Sequence, residues 1–254
     1  MITDERKMKI RELIGKTGFV SVRQLMDTFN ISRSSAMRDL DDLQKQGLVY
    51  RKRGGASLLD TEEMMSQFNE LTVREKAEKH RKEKITVCQK AASLVKDGYN
   101  IYIDSGTTVL YMLDYIADKR INIVTPNVML LKLIPSRFEG RVTLLGGSYN
   151  GNLESVSGTV TDRLLRGYNF DMAFMTANGV SFEKNRVFAF DLDYAANKKT
   201  VLERSRHVQL LIDHTKTNQE GFCNWACVED FDNIFIDSYQ WDEAPDNLVI
   251  CEGR

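Results

Sequence analysis

Cysteine is scarce in this chain: Cys88, Cys223, Cys227 and Cys251 are the only four in 254 residues. So few thiols exclude a disulfide-stapled scaffold and fit a reducing, cytoplasmic setting. Cys223 and Cys227 lie between His207 and His214 and the C-terminus, but their spacing matches no tight paired-cysteine site. Reduced, buried thiols are the commoner arrangement, so no metal and no cofactor is expected. No apolar run approaches the ~18 residues of a membrane span and no leader peptide opens the chain, so a membrane is not an expected partner. Internal repeats and low-complexity stretches are missing as well. No Gly-x-Gly-x-x-Gly follows an apolar strand, which removes the dinucleotide fingerprint.

What the chain does have is a charge asymmetry. Residues 1–59 hold 12 Lys and Arg against 7 Asp and Glu, whereas the rest holds 23 against 29. A basic module on an acidic body suits one domain for a polyanion and another for a different task. The basic module reads as a winged helix-turn-helix. Ile10, Leu13 and Ile14 line one face of a helix from about Asp4 to Lys16, which Gly18 ends. Ser21 caps a second helix with Val22, Leu25, Met26 and Phe29 as its apolar stripe. Asn30-Ile31 makes the turn, Ser32 caps a third helix, and Ile31 staples against Ala36. Ala36, Leu40 and Leu43 point inward, which leaves Ser34, Arg38, Asp41 and Lys45 outward. A recognition helix sets its N-terminal exposed side chains against base edges, so Ser32, Arg33, Ser34, Ser35, Met37 and Arg38 are the candidate DNA contacts. For Arg38 alone, an ion pair with Asp41 or Asp42 on a solvated face is the competing reading. The stretch Leu48–Ala56 decides for DNA. Apolar residues feed a turn with Arg51, Lys52 and Arg53 followed by two glycines, placed for phosphates or a minor groove.

Residues 60–77 read as a linker entering a solvated helix that continues through Ile85, Cys88, Ala91, Ala92 and Val95. Beyond Gly98 strands and helices alternate, the pattern of a parallel sheet covered on both faces. Strands are expected at 99–103, 121–125, 142–145, 172–176, 208–212 and 234–236, the last clear one. Polar residues gather at their carboxyl ends: Asp104-Ser105-Gly106-Thr107-Thr108, Thr125-Pro126-Asn127, Gly146-Gly147, Ala177-Asn178-Gly179, and Asp213 with Lys216 beyond. That shared edge is where open α/β sheets bind ligands. Ser105–Thr108 opens a helix and suits a phosphate, with Lys198 and Lys216 as countercharge. Asp104 and Asn127 are placed for sugar hydroxyls. Singly, each cluster is an ordinary turn or cap; together they point to a phosphorylated ligand.

These residues resemble the DeoR family of bacterial sugar-metabolism repressors over nearly the whole chain. Ile31-Ser32-Arg33-Ser34-Ser35-Ala36-Met37-Arg38-Asp39-Leu40 is similar to the family's recognition helix, and Gly47 through Ala56 to its wing. The sensor motifs are Asp104-Ser-Gly-Thr-Thr108, Val124-Thr125-Pro-Asn127, Leu145-Gly146-Gly147, Ser157-Gly158, and Asp213 with Lys216. The resemblance implies a winged helix-turn-helix (1–59), a linker (60–77) and a doubly wound, mostly parallel sugar-phosphate sensor (78–254) of the sugar-phosphate isomerase type. It implies double-stranded operator DNA and a phosphorylated sugar effector as partners, and a homodimer or homotetramer as the binding unit. Two positions depart from the family: Ala36-Met37 stands where Ile-Arg is common, and Tyr194 where an acidic residue usually precedes Lys198 by four. The alternative is a sugar-phosphate isomerase or deaminase fused to the DNA-binding part. It is disfavoured because Thr176-Ala177-Asn178-Gly179 stands where related isomerases carry two carboxylates needed as an acid–base pair.

Overall fold

The computed structural model describes residues 3–17, 19–45, 49–52, 54–58, 73–240 and 243–252. Contacts divide the chain into two compact units, Met1–Glu70 and Leu71–Arg254. Gly18, Gly47 and Leu48 of the expected wing, Arg53, and residues 60–72 of the expected linker lie outside the described residues.

In the first unit, α1 (Thr3–Thr17), α2 (Val22–Phe29) and α3 (Arg33–Lys45) pack with strands β1 (Phe19–Ser21), β2 (Val49–Lys52) and β3 (Gly55–Leu58). Ser21 ends β1 and caps α2 through a reciprocal box: its hydroxyl accepts from Gln24 N, and the Gln24 side chain accepts from Ser21 N at 2.9 Å. Asn30 takes the left-handed conformation (φ 49°) that lets the chain turn sharply into α3. Ser32 then caps α3, its hydroxyl accepting from Ser35 N at 3.2 Å. The antiparallel sheet runs β1-β3-β2, with β1 an addition to the expected hairpin. Gly54 makes the wing turn at φ +87°, a conformation that favours glycine.

Ile10, Ile14, Leu25, Ala36, Leu40 and Leu43 form the core of this unit, as their helical spacing predicts. Asp39 joins them from the same helix at 2% exposure. The guanidinium of Arg6 donates to both its carboxylate oxygens, at 2.7 and 3.0 Å, and so ties α1 to α3. The Asp of the Arg-Asp-Leu motif is therefore a clamp inside the domain. Asp39→Ala leaves the guanidinium without its acceptor and is expected to lower stability by about 2–4 kcal/mol in urea unfolding.

In the second unit, α4 (Val73–Glu78) and α5 (Arg81–Ala92) precede the first strand. The expected single helix is broken at His80, which sits at φ 54°. Residues 73–77 of the expected linker are thus helical. Strands β4 (Asn100–Ile103), β5 (Asn122–Thr125) and β6 (Arg141–Leu144) come first, then β7 (Ser148–Asn150) and β8 (Ser155–Ser157). Next are β9 (Met172–Met175), β10 (Gly179–Ser181), β11 (Arg186–Ala189), β12 (Val208–Leu211), β13 (Cys223–Ala226), β14 (Asn233–Ile236) and β15 (Leu248–Ile250). Seven of them make a sheet in the order β15-β14-β12-β9-β4-β5-β6, parallel throughout. The first three strands run outward one way from β4 and the other four run outward the other way from β9. That is the doubly wound arrangement, with its switch point between β4 and β9.

Alternation along β4 shows both faces buried. Ile101 and Ile103 pack with Val87, Cys88 and Ala91 of α5, while Tyr102 packs with the opposite cluster around Leu165 and Val201. Burying each such large side chain contributes about 1.5–3 kcal/mol. Helices α6 (Leu113–Ile116), α7 (Val128–Lys132), α8 (Thr159–Leu165) and α9 (Leu192–Arg204) complete the connections. Three features depart from the expected plan: the edge strand β15, the hairpin β7-β8, and an antiparallel sheet β10-β11-β13. No helix among the described residues is long and apolar enough to cross a membrane.

Candidate functional site

The outward face of α3 and the carboxyl edge of the parallel sheet are the two candidate sites, one in each unit. On α3, Ser32, Arg33, Ser34 and Arg38 are exposed, whereas Ser35 and Met37 are half-buried. Met37 packs partly against the domain core, so only part of it faces outward. The hydroxyl of Ser32 lies 2.9 Å from that of Ser34 and 3.0 Å from that of Ser35, so the three form one polar cluster at the start of α3. Asp42, one of the two carboxylates that compete for Arg38, is held by Lys7 at 2.7 Å. Arg51 and Lys52 lie on β2, and their side chains, like the whole of Arg53, fall outside the described residues.

At the sheet edge, the switch point brings the ends of β4 and β9 together. Asp104 follows β4 and is 2% exposed; Thr176 follows β9. One carboxylate oxygen of Asp104 accepts from the Thr176 amide at 2.8 Å, from its hydroxyl at 2.7 Å, and from the Lys198 ammonium. Lys198 comes from α9, is itself 5% exposed, and also donates to Thr176 O at 2.9 Å. The Trp225 ring lies 5.3 Å from Lys198 Nζ. Burial raises the Asp104 pKa, but Lys198 and the donors from Thr176 and Ser105 outweigh it, so the carboxyl titrates below its ordinary range. Lys198 is therefore not a bare countercharge: its charge is matched inside the fold by Asp104. Gly106 in the loop after Asp104 has no room for a Cβ, which would collide with the Thr176 side chain.

The second cationic group at this edge is Lys84, whose Lys- and Glu-rich tract points to a solvated helix. It is instead 4% exposed. Its ammonium donates to Thr107 Oγ1 at 3.2 Å and to the backbone oxygen of Lys76. Desolvation pushes its pKa down; Asp213 opposes that shift, and Lys216 and Lys76 add to it. Lys84, Thr107, Asp213 and Lys216 thus share one electrostatic neighbourhood. Asp213 caps the single turn His214–Lys216 by accepting from Thr215 N at 3.1 Å. The segment Ser105–Thr107 is a bend, and the helix it was expected to open starts as a 3-10 turn, Thr108–Met112, that runs into α6. Both Thr107 and Thr108 are buried.

The other edge residues are committed to the chain itself. Thr125 Oγ1 donates to Ile103 O at 2.7 Å and accepts from Asn127 N at 3.1 Å. Asn127 Oδ1 caps α7 by accepting from Leu130 N at 3.3 Å, and its amide donates to Asp104 O at 3.4 Å. Gly146 and Gly147 are exposed beyond β6, two strands from the switch point. Asn178 N donates to Phe188 O at 3.0 Å, and Gly179 starts β10 against the Gln219 backbone. Tyr194, at the departing family position, donates to or accepts from the Ser155 hydroxyl at 2.5 Å. It lines a narrow crevice with Tyr102, Asp104, Ser105, Asn197 and Lys198. His207 and His214 are held by Asp232 and Asp237, at 3.2 and 2.7 Å. No group of three or more His, Cys, Asp or Glu among the described residues is arranged to hold a metal ion.

Comparison with known proteins bears on both units. Residues 6–62 match the family model of the DeoR-like helix-turn-helix domain, and residues 79–238 that of the DeoR C terminal sensor domain. Among curated relatives, the uncharacterized HTH-type transcriptional regulator FruR of Bacillus subtilis is 32% identical over 94% of this chain and 92% of its own. The lactose phosphotransferase system repressor of Staphylococcus aureus is 28% identical over 96% and 95%. Among solved structures, ribose 5-phosphate isomerase A of Methanocaldococcus jannaschii aligns over 53% of each chain, at 18% identity and a TM-score of 0.38.

Proposed function

The chain belongs to the DeoR family of DNA-binding transcriptional regulators, and on that premise we propose that it represses sugar catabolism or transport genes and that a phosphorylated sugar sets its grip on operator DNA. The observation that carries the phosphate assignment is Lys84. A buried ammonium reaches the Thr107 hydroxyl at the switch-point edge, with Lys216 beside it. Charge-assisted donors converging on a hydroxyl-lined loop suit a phosphate monoester. The sugar would extend toward the Asp104–Lys198 pair and Tyr194. We assign the site to binding rather than turnover: Asp104 is engaged by Lys198, and Thr176–Gly179 contains no second carboxylate. The operator-binding unit would be a homodimer or homotetramer, since paired recognition helices read paired half-sites.

For the ligand to act as a switch it must bind one arrangement of the oligomer more tightly than the other. Gel-shift titration of the protein on its operator with sugar phosphates, and with the same sugars unphosphorylated, tests this. A response to the phosphates alone is expected; indifference to all of them would sink the reading. Lys84→Gln removes one charged donor and is expected to weaken the phosphate response about 10–100-fold, by loss of about 1.5–3 kcal/mol. Calorimetric titration of the folded variant checks it.

A further inference from the structure

The bonds that hold α4 in place converge on the loop assigned to the phosphate, and the role of Lys84 inferred from them rests on that assignment. In chain order α4 is the first described element after the winged unit. Two of its last carbonyls are held by side chains. Lys84 donates to Lys76 O, and the Tyr111 hydroxyl donates to Ala77 O at 2.8 Å. Tyr111 belongs to the 3-10 turn that begins at Thr108, immediately after the loop, and the Arg81 guanidinium stacks 5.4 Å from its ring. At the start of α4, Val73 N donates to Asn152 O at 2.8 Å, and Val73 and Ala77 are buried along its length.

Lys84 is the group shared between this docking and the loop. An ammonium has three N–H donors, and its partners among the described residues are Lys76 O and Thr107 Oγ1. We propose that Lys84 is a positioning residue that couples effector to α4: a phosphate at Thr107 takes its third donor and tightens its bond to Lys76 O. The physical reason is the desolvated environment, which disfavours the charged amine. A phosphate dianion offsets that penalty and fixes the ammonium between Thr107 Oγ1 and Lys76 O; hydrogen bonds from a charged donor are roughly twice as strong as neutral ones. The segment that leads to the DNA-binding unit is thereby held harder when the effector is bound. Packing of Val73 and Ala77 alone gives no such dependence.

Hydrogen–deuterium exchange on the full chain tests this, with inorganic phosphate, glucose 6-phosphate and ribose 5-phosphate as probes. On saturation, the amides of Val73–Glu78 should exchange about three- to tenfold more slowly. Tyr111→Phe removes one α4 bond but touches no group in the phosphate site. It should speed α4 exchange in the free protein, leave probe affinity within about twofold, and keep the slowing on saturation. A rise in Tm on probe binding with unchanged α4 exchange, in wild type and Tyr111→Phe alike, overturns the coupling and leaves the phosphate site standing. If no probe raises Tm, the phosphate site falls, and the coupling with it.

Discussion

Replacing Asp104 by Ala is expected to destabilise the sensor unit by about 3–5 kcal/mol at neutral pH, read from equilibrium urea unfolding. Removing this carboxylate leaves Lys198 charged, 5% exposed, and without its anion. It also strips the Thr176 amide and hydroxyl of their acceptor. Lys198→Met should cost a similar amount by leaving a buried carboxylate uncompensated, so it is a poor probe of effector binding. The double variant Asp104→Ala/Lys198→Met, which replaces the pair by apolar groups, should recover part of the loss; strict additivity of the two single costs would refute the pairing. The pH dependence follows from the depressed Asp104 carboxyl. A folded-state pKa below the unfolded value of about 3.9 gives stability that is complete above that value. It drains away as pH falls toward the folded-state value. The wild type should therefore lose stability on acidification more steeply than Asp104→Ala.

Arg38→Ala is expected to weaken operator binding by about 1–3 kcal/mol per half-site, and so by up to twice that in a two-fold complex. Arg38 is exposed on the outer face of α3, opposite Ala36, Leu40 and Leu43. The carboxylate of Asp42, a competitor for it, is occupied by Lys7. Truncation there leaves the core untouched, so the midpoint of thermal unfolding and any Tm rise with sugar phosphates should stay unchanged. A competition gel shift on the operator selected by the wild type measures the loss. Unaltered affinity would remove Arg38 from the reading face. Met37, half-buried against the core, should show the opposite balance when truncated: more stability lost, less affinity.

Much of this architecture is legible in the residues because two periodicities are clean. Ala36, Leu40 and Leu43 repeat at helical spacing, and apolar strands such as Asn100–Ile103 end in polar residues. Those strand ends coincide with the sheet's carboxyl edge, so Asp104, Ser105, Gly106, Thr107 and Lys216 fall where expected. What is illegible is the partner of each charge. Lys84 lies in a tract of alternating Lys and Glu that reads as solvated. Its position four residues before Cys88 and seven before Ala91 places it on the buried face of α5, and that spacing is the available signal. Asp39 is the same case, three residues after Ala36 and four before Leu43. Asp104 and Lys198 are 94 positions apart, and only the placement of α9 against the strand ends at the switch point joins them. Strands of three residues, such as β10 and β15, are too short to show alternation at all.

The Asp104–Lys198 ion pair has a further consequence. Its two charges cancel, whereas the charged groups that act on Lys84 are Lys216 and Lys76 against Asp213, an excess of positive charge. An approaching molecule meets an electrical polarity before it meets a shape. An uncharged sugar gains nothing from that gradient and has no reason to enter in one direction; on the proposed site, a sugar bearing a dianion would be drawn in phosphate-first, with its hydroxyls toward Tyr194. A regulator built this way discriminates by metabolic state: it would stay silent to sugar that is merely present and answer to sugar that has already been committed by phosphorylation.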